Sequence, residues 1–564
     1  MSVDQRNELP DDVRARSYDR YRKLTPWVDE SISRLMHAEP VQAATENAKP
    51  ATEKQDAKKP DNCSTRLIDI GGEGQTLFHD ERGDGYVRVD SDGVQKTFKL
   101  KGRDFRRWIA GRYWQQYRNA ANNEALQNAL NVLEAKANHE GQEIELHNRF
   151  AVAGDSIFID LCDDKWRAVC VSKEGWKIVP CPVLFRRYVH QKALPTPERG
   201  GSLDGLDGFM NIKSADDRTL VRAWLVASVM ESVPRPALTF HGPQGSAKTT
   251  GGRVLRRLID PSISECLGFP KDDTELAQLL DHHAVPLLDN VRKVGDQAAD
   301  TLCRAVTGGA FSKRELFSDA EDVIFRFRRA LILNGINIPT HAPDLLDRMQ
   351  LIELERVPAK ERLTERQFWS EFDAELPALF GALLDSVSIM LRTQFNAPEL
   401  PRMADFAELG ARWAEGSGIG GEEFLEMYSD NVSRQIEEAL ESDSVGCAIR
   451  ELAKVGRFEG TPSALLKRLN ERRNGEAAPS DWPKRAESLG KRIKVLQTTL
   501  HDSGIEIVHG KKDGARWLAV NRREQPSQPS QPSQSYGNGR LDDKDGSFPD
   551  LSAGGEGRTE EAEI

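Results

Sequence analysis

The residues best suited to do chemistry stand together in Gly242-Pro243-Gln244-Gly245-Ser246-Ala247-Lys248-Thr249-Thr250. An apolar run, Ala237 to Phe240, leads into this stretch, and an amphipathic run, Arg253 to Ile259, follows it. Such glycines let backbone N–H groups converge on phosphate oxygens. An ammonium at Lys248 neutralises β- and γ-phosphate charge, and a hydroxyl at Thr249 offers Mg²⁺ a ligand at a helix N-terminus. Gly242 and Gln244 through Thr250 are therefore the expected ATP contacts. Ala247 stands where such loops carry glycine, and its methyl is tolerated if φ is negative. The competing reading is an ordinary Gly-rich turn; strand, Lys-Thr and helix in register weigh against it.

Three further segments supply matching groups. Ala284-Val285-Pro286-Leu287-Leu288-Asp289 reads as a buried strand ending in a carboxylate that could hold Mg²⁺. Arg329-Ala330-Leu331-Ile332-Leu333-Asn334 is another, ending in an amide able to orient an attacking water. Asp344-Leu345-Leu346-Asp347-Arg348 places a guanidinium just past a loop, suited to phosphate charge in a neighbouring subunit. Taken singly, Asp289 reads equally as a turn residue, Asn334 as a strand cap and Arg348 as half of a surface ion pair. Their order, with Lys248, Asp289, Asn334 and Arg348 spaced by 41, 45 and 14 positions, is harder to explain that way.

This compact order, with TGGAFSKRELF between the second and third segments, resembles superfamily 3 helicases, the AAA+-like ring motors of viruses, phages and plasmids. It resembles in particular their phage- and poxvirus-type primase–helicase branch. The resemblance is firm over 237–356, weaker over 85–236 and architectural beyond 360. It implies Gly242, Gly245, Lys248 and Thr249 on ATP, Asp289 on Mg²⁺, Asn334 as sensor and Arg348 as an arginine finger. It also implies Lys313 and Arg314 near DNA, in a homo-hexameric ring. Two positions depart from the family. Asn290 follows Asp289 where an acidic base is common, so hydrolysis needs another base such as Glu315 or Asp319. The segment expected to tip a pore hairpin, Ser318 to Asp322, is acidic where the family is usually basic; Lys313, Arg314, Arg326, Arg328 and Arg329 flank it.

The elements that must position these groups read as an α/β P-loop (AAA+-like) core over 201–360. A mixed α+β domain over 63–200, with DNA contact as one reading, precedes the core. A helical lid over 361–443 and a winged helix over 444–522 follow it. Residues 1–62 and 523–564, the latter with a Gln-Pro-Ser repeat, read as disordered tails. One long helical run is expected from Phe105 to Ala137. Residues 96–118 hold eight basic side chains and one acidic, interleaved with Phe98, Phe105, Trp108, Tyr113, Trp114 and Tyr117. That suits single-stranded DNA, or a helix with a core aromatic face and a solvated basic one. Asp160, Asp163 and Asp164 read as a polar turn rather than a primase metal cluster, and His282-His283 as a loop. In the winged helix, Val445–Val455, Thr461–Glu471 and Arg485–Leu500 are the expected helices, with Thr461 as an N-cap. Arg485, Lys491, Arg492, Lys494, Lys511 and Lys512 are its expected DNA contacts; a protein-binding winged helix is the alternative.

Composition bounds the rest. The 564 residues are 38% hydrophobic and 30% charged with a net charge of −11, which excludes a uniformly basic coat. Seven scattered cysteines without a C-x-x-C fit a reducing cytoplasm rather than a disulfide scaffold or zinc ribbon. No unbroken apolar run approaches the roughly 18 residues of a membrane span, and the N-terminus lacks a signal-type apolar stretch. The expectation is a cytoplasmic Mg-ATP-hydrolysing replication helicase of a phage, plasmid or other mobile element, acting on DNA with host replication proteins and no membrane. The competing class is an ATP-switched DNA-binding scaffold or defence NTPase with little or no unwinding.

Overall fold

The computed structural model describes residues 62–522, apart from 293, 315–321, 336–341, 398, 474–476, 480–481 and 513–514. Both expected tails lie outside them, save Asn62.

Five short apolar strands form a parallel sheet in the order Leu267–Gly268, Leu287–Asp289, Ile332–Asn334, Ala237–His241, Met349–Glu353. Successive side chains serve opposite faces. Leu238, Phe240, Leu287, Ile332 and Ile352 enter one core, while Ala237, Leu288, Leu333, Met349 and Leu351 enter another. Burial on both faces is why these strands are continuously apolar. Helices Ala215–Ala227 and Lys248–Ile259 pack into the first core, Asp273–His282 and Asp296–Thr307 into the second. The strand ending at Asn334 lies between those ending at His241 and Asp289, so the three candidate groups emerge side by side. Beyond helix Asp296–Thr307, strands Gly309–Arg314 and Asp322–Phe327 pair antiparallel, Gly309 opposite Phe327 and Arg314 opposite Asp322.

Helices Glu365–Arg392, Ala404–Gly416 and Gly421–Ser442 join the first core, the third packing against the outer strand Met349–Glu353. The first helix contains an 18-residue window of mean hydropathy 1.5, apolar enough by length and composition to cross a membrane. Glu375 and Asp385 interrupt its apolar residues, so it contains no unbroken apolar run of that length. Its Trp369, Phe372, Phe380, Leu383 and Leu384 are core residues packed against the sheet and its helices. Gly381 has a steric reason: a Cβ there would lie 1.6 Å from the Glu198 carbonyl oxygen, where the chain crosses this helix. From the third helix, Asn431 donates Nδ2–H to the Leu351 carbonyl (2.6 Å) and accepts the Leu351 N–H (3.2 Å), on the outer strand of the sheet.

Segment 63–200 contains two sheets. In the first, Val94–Lys99, Gly85–Ser91 and Thr76–His79 run antiparallel, with Gln142–Glu143 added in parallel. It packs on helices Cys63–Gly72, Arg103–Tyr117 and Asn123–His139. The single run expected from Phe105 to Ala137 is thus two helices. Arg118 turns to φ +50°, and Asn122 opens the second helix by accepting the Ala125 N–H at 2.7 Å. The second sheet is an antiparallel meander of Phe150–Ala153, Ser156–Asp160, Arg167–Ser172 and Gly175–Pro180. Its apolar face joins the core of the parallel sheet and helix Glu365–Arg392, with Trp176 Nε1–H donating to Asp385 at 2.9 Å. Arg149, fully buried, spans the join: it donates to Asp260 (3.0 Å) and to the Asp160 and Lys192 carbonyls (3.1 Å each). A buried charge needs such complete pairing.

Residues 444–522 form helices Ser444–Val455, Pro462–Arg472 and Ala486–Asp502 over an antiparallel sheet ordered Phe458–Gly460, Ala515–Arg522, Ile505–Lys512. Thr461 caps the second helix by accepting the Ala464 N–H at 3.2 Å. Three helices with a C-terminal hairpin is the arrangement expected there from sequence.

Candidate nucleotide-binding site

The loop leaves strand Ala237–His241 through Gly242, at φ +132°, where a Cβ would lie 2.2 Å from the Leu354 carbonyl oxygen. Only glycine fits. Ala247, immediately before helix Lys248–Ile259, has φ +64°. The condition for an unstrained methyl, a negative φ, is not met: it sits in the left-handed region, at a cost of about 1–2 kcal/mol. Gln244 is exposed, Ser246 is buried, and Lys248, Thr249 and Thr250 are half-buried at the helix start.

Lys248 folds back over the loop, donating from Nζ to the Gly242 and Pro243 carbonyls (2.8 Å each) and to Ser246 Oγ (3.2 Å). Burial lowers its pKa from the usual lysine value, and the Asp289 carboxylate opposes that shift. Thr249 Oγ1–H donates to Asp289 Oδ1 at 3.1 Å, and Asn334 Nδ2–H donates to Thr249 Oγ1 at 3.1 Å. Three segments separated in sequence are thus joined in one chain, Asn334–Thr249–Asp289. Asn290 is exposed at φ +54°, its N–H on Asp289 Oδ1 at 2.9 Å. A carboxamide cannot take a proton from water, and the substitutes Glu315 and Asp319 lie outside the described residues.

Arg348 is elsewhere. Its carbonyl accepts the Ala237 N–H (2.7 Å) at the start of the parallel strands, whereas the loop leaves their ends. At about 3.3 Å per residue, the five-residue strand Ala237–His241 separates the two by roughly 16 Å. The guanidinium donates to the Asp344 carbonyl at 2.5 Å and is about one-fifth exposed. It cannot serve the loop of its own chain.

Sequence reasoning missed two neighbours. Arg362 donates to the Val357 carbonyl from Nε and Nη2 at 3.3 Å, Val357 N–H donates to the Gly245 carbonyl at 3.1 Å, and Nη2 lies 3.7 Å from where a Gly245 Cβ would be. A guanidinium therefore overhangs the glycine loop; the only signal was the basic run RVPAKER after the last strand. His241 Nε2, beside the loop, is 3.5 Å from Glu438 of helix Gly421–Ser442. Burial, then the charge of Glu353, pushes the Glu438 carboxyl up to about 7.

The other sequence candidates divide. Lys313 and Arg314 lie on the first strand of the hairpin, whose expected acidic tip is outside the described residues save Asp322. On helix Ala486–Asp502, Lys491 and Lys494 are exposed, as is Arg485 just before it. Arg492 is occupied: it pairs with Asp443, the fully buried N-cap of helix Ser444–Val455, so it holds the domain together. Lys511 is exposed near the hairpin turn; Lys512 ends that strand, and its side chain is outside the described set. Asp160 is buried on Arg187 (2.6 Å) and Asp163 pairs with Arg167 (2.6 Å), as expected of a structural turn. His282 is the last residue of helix Asp273–His282 rather than part of the loop; His283, its extended C-cap, opens the connection to the next strand and contacts Arg256 (2.7 Å). Among the described residues no group of three or more His, Cys, Asp and Glu forms a metal site.

Residues 203–432 match the family of the actinomycete integrative conjugative element replication protein, and 445–534 match the AICE RepA C-terminal domain. No curated protein matches. Among solved structures, two A-form apo structures of the NrS-1 C-terminal region are 12% identical, with TM-scores of 0.35 and 0.37. The matches cover 82% and 83% of this chain and 98% and 100% of those. Such scores are too low to establish a shared fold. The two family matches span the parallel sheet, its helical flank and the C-terminal domain, and they support a replication protein of a mobile element.

Proposed function

We propose, from the match to a mobile-element replication protein, that the chain is an ATP-driven DNA motor of the superfamily 3 helicase type, assembled as a ring. The observation that carries this reading is the hydrogen-bonded chain Asn334–Thr249–Asp289 at the mouth of the glycine loop. Lys248 already spends its donors on loop oxygens, and phosphate oxygens would take their place. Thr249 and Asp289 present adjacent oxygens that would hold Mg²⁺, which would supply positive charge to offset that of the phosphates. Asn334 Nδ2 would orient the attacking water. Arg348, at the far end of the sheet, would act on the nucleotide of the next subunit in the ring. In this reading Lys313 and Arg314 track DNA at the pore, while Arg485, Lys491, Lys494 and Lys511 contact duplex.

Lys248→Ala should abolish ATP binding in a nucleotide-binding titration. Arg348→Ala should leave binding intact and lower steady-state turnover by about 10³-fold or more. Full turnover by purified Arg348→Ala assemblies would sink the finger role, and turnover by Lys248→Ala the site itself.

Asn290 favours a second reading, an ATP-switched DNA-binding scaffold. ATP binding without DNA-stimulated turnover or fork unwinding would select it.

A further inference from the structure

We infer that helix Arg103–Tyr117 presents a binding surface for single-stranded nucleic acid, separate from the nucleotide site and from the C-terminal domain. The basic and aromatic residues of 96–118 separate cleanly in the structure. Phe105 and Tyr113 are buried, and Phe98, Trp108 and Tyr117 pack against the same core. Those five aromatics are structural. Trp114 alone faces out, 51% exposed. It lies in one stripe with Arg103, Arg107, Gly111 and Arg118, all exposed and spaced by three or four residues, hence on one face of the helix. Arg107 has a loose contact with Asp104 at 3.7 Å. The stripe is basic on a chain whose net charge is −11.

Two positions in it run against what helix stability prefers. Gly111 is mid-helix, yet a Cβ there would meet nothing within 4 Å, so packing gives no reason for glycine over alanine. Arg118 is the C-cap in the left-handed conformation, φ +50°, where glycine is the unstrained residue. A glycine where a side chain would fit, and an arginine where glycine would fit, are violations of local preference of the kind binding surfaces retain. The smooth surface at Gly111 admits a backbone between Arg107 and Trp114. Guanidinium groups then meet phosphates while the indole stacks on an unpaired base, which a duplex does not offer. This inference does not rest on ATP hydrolysis.

The test is fluorescence anisotropy of the full chain with an oligo-dT strand and with a duplex of equal length, without nucleotide or Mg²⁺. Trp114→Ala should weaken oligo-dT binding at least about fivefold, the low end of base–aromatic stacking, leave duplex binding and melting temperature unchanged, and be rescued by Trp114→Phe. Photocrosslinking of 5-iodouracil-substituted oligo-dT should label residues 103–118. Unchanged oligo-dT affinity, an equal loss on duplex, or crosslinks confined to 444–522 would overturn the proposal. So would competition by an acidic peptide with no response to oligo-dT. Loss of ATPase activity in other variants would leave this measurement untouched.

Discussion

Ala247 holds a left-handed φ of +64° immediately before Lys248, and that conformation sets a measurable cost. Ala247→Gly removes the Cβ clash while keeping the turn, so denaturant titration should find it no less stable than the parent, or more stable by up to about 1 kcal/mol. A loss of stability would mean that the methyl packs usefully. The types at Lys248, Thr249, Asp289 and Asn334 were legible from sequence because each ends an apolar strand or opens a helix, where its neighbours fix its place. Arg362 and Glu438 were not legible. They reach the loop from a connecting segment and a helix far along the chain, and no local pattern announces such contacts. Arg492 misled for the opposite reason: a basic residue on an expected DNA-reading helix was needed by Asp443.

At the scale of elements, the contact between helix Gly421–Ser442 and the loop strand is titratable. Glu438 faces His241 and is raised to about 7 by burial and by Glu353, with Arg434 opposing; its ordinary value is near 4.5. A carboxyl raised on folding binds protons more tightly in the native state, so this group's contribution to stability falls as pH rises from about 4.5 to 7. Glu438→Gln should therefore raise the melting temperature more at pH 8 than at pH 5; an equal or reversed difference would remove Glu438 from that role. The helix boundaries were largely readable, Thr461 and the three C-terminal helices to within one or two residues. The break at Arg118 was missed because Asn119 to Asn123 carries no Gly or Pro, and a single left-handed arginine leaves no mark in the sequence.

For the whole molecule, the roughly 16 Å between Arg348 and its own loop means that the proposed finger role requires a second subunit. Lys248→Ala and Arg348→Ala chains, each inactive alone, should regain measurable turnover when mixed. Some interfaces would then pair an intact loop with an intact arginine. No recovery across a range of mixing ratios would argue against shared sites. The parallel sheet and the C-terminal domain could be anticipated from periodicity. The division of 63–200 could not, because its second sheet is stabilised by Leu379, Phe380 and Leu383, residues about 200 positions away.

The paired hydrogen bonds between Asn431 and Leu351 close one edge of the parallel sheet. The outer strand Met349–Glu353 would otherwise offer an unpaired N–H and C=O to any extended segment that approached, a template for strand addition. The asparagine side chain imitates the missing neighbour and closes that template. Strand addition at this edge is thereby blocked by the chain's own helix Gly421–Ser442, whatever the other edge, Leu267–Gly268, presents.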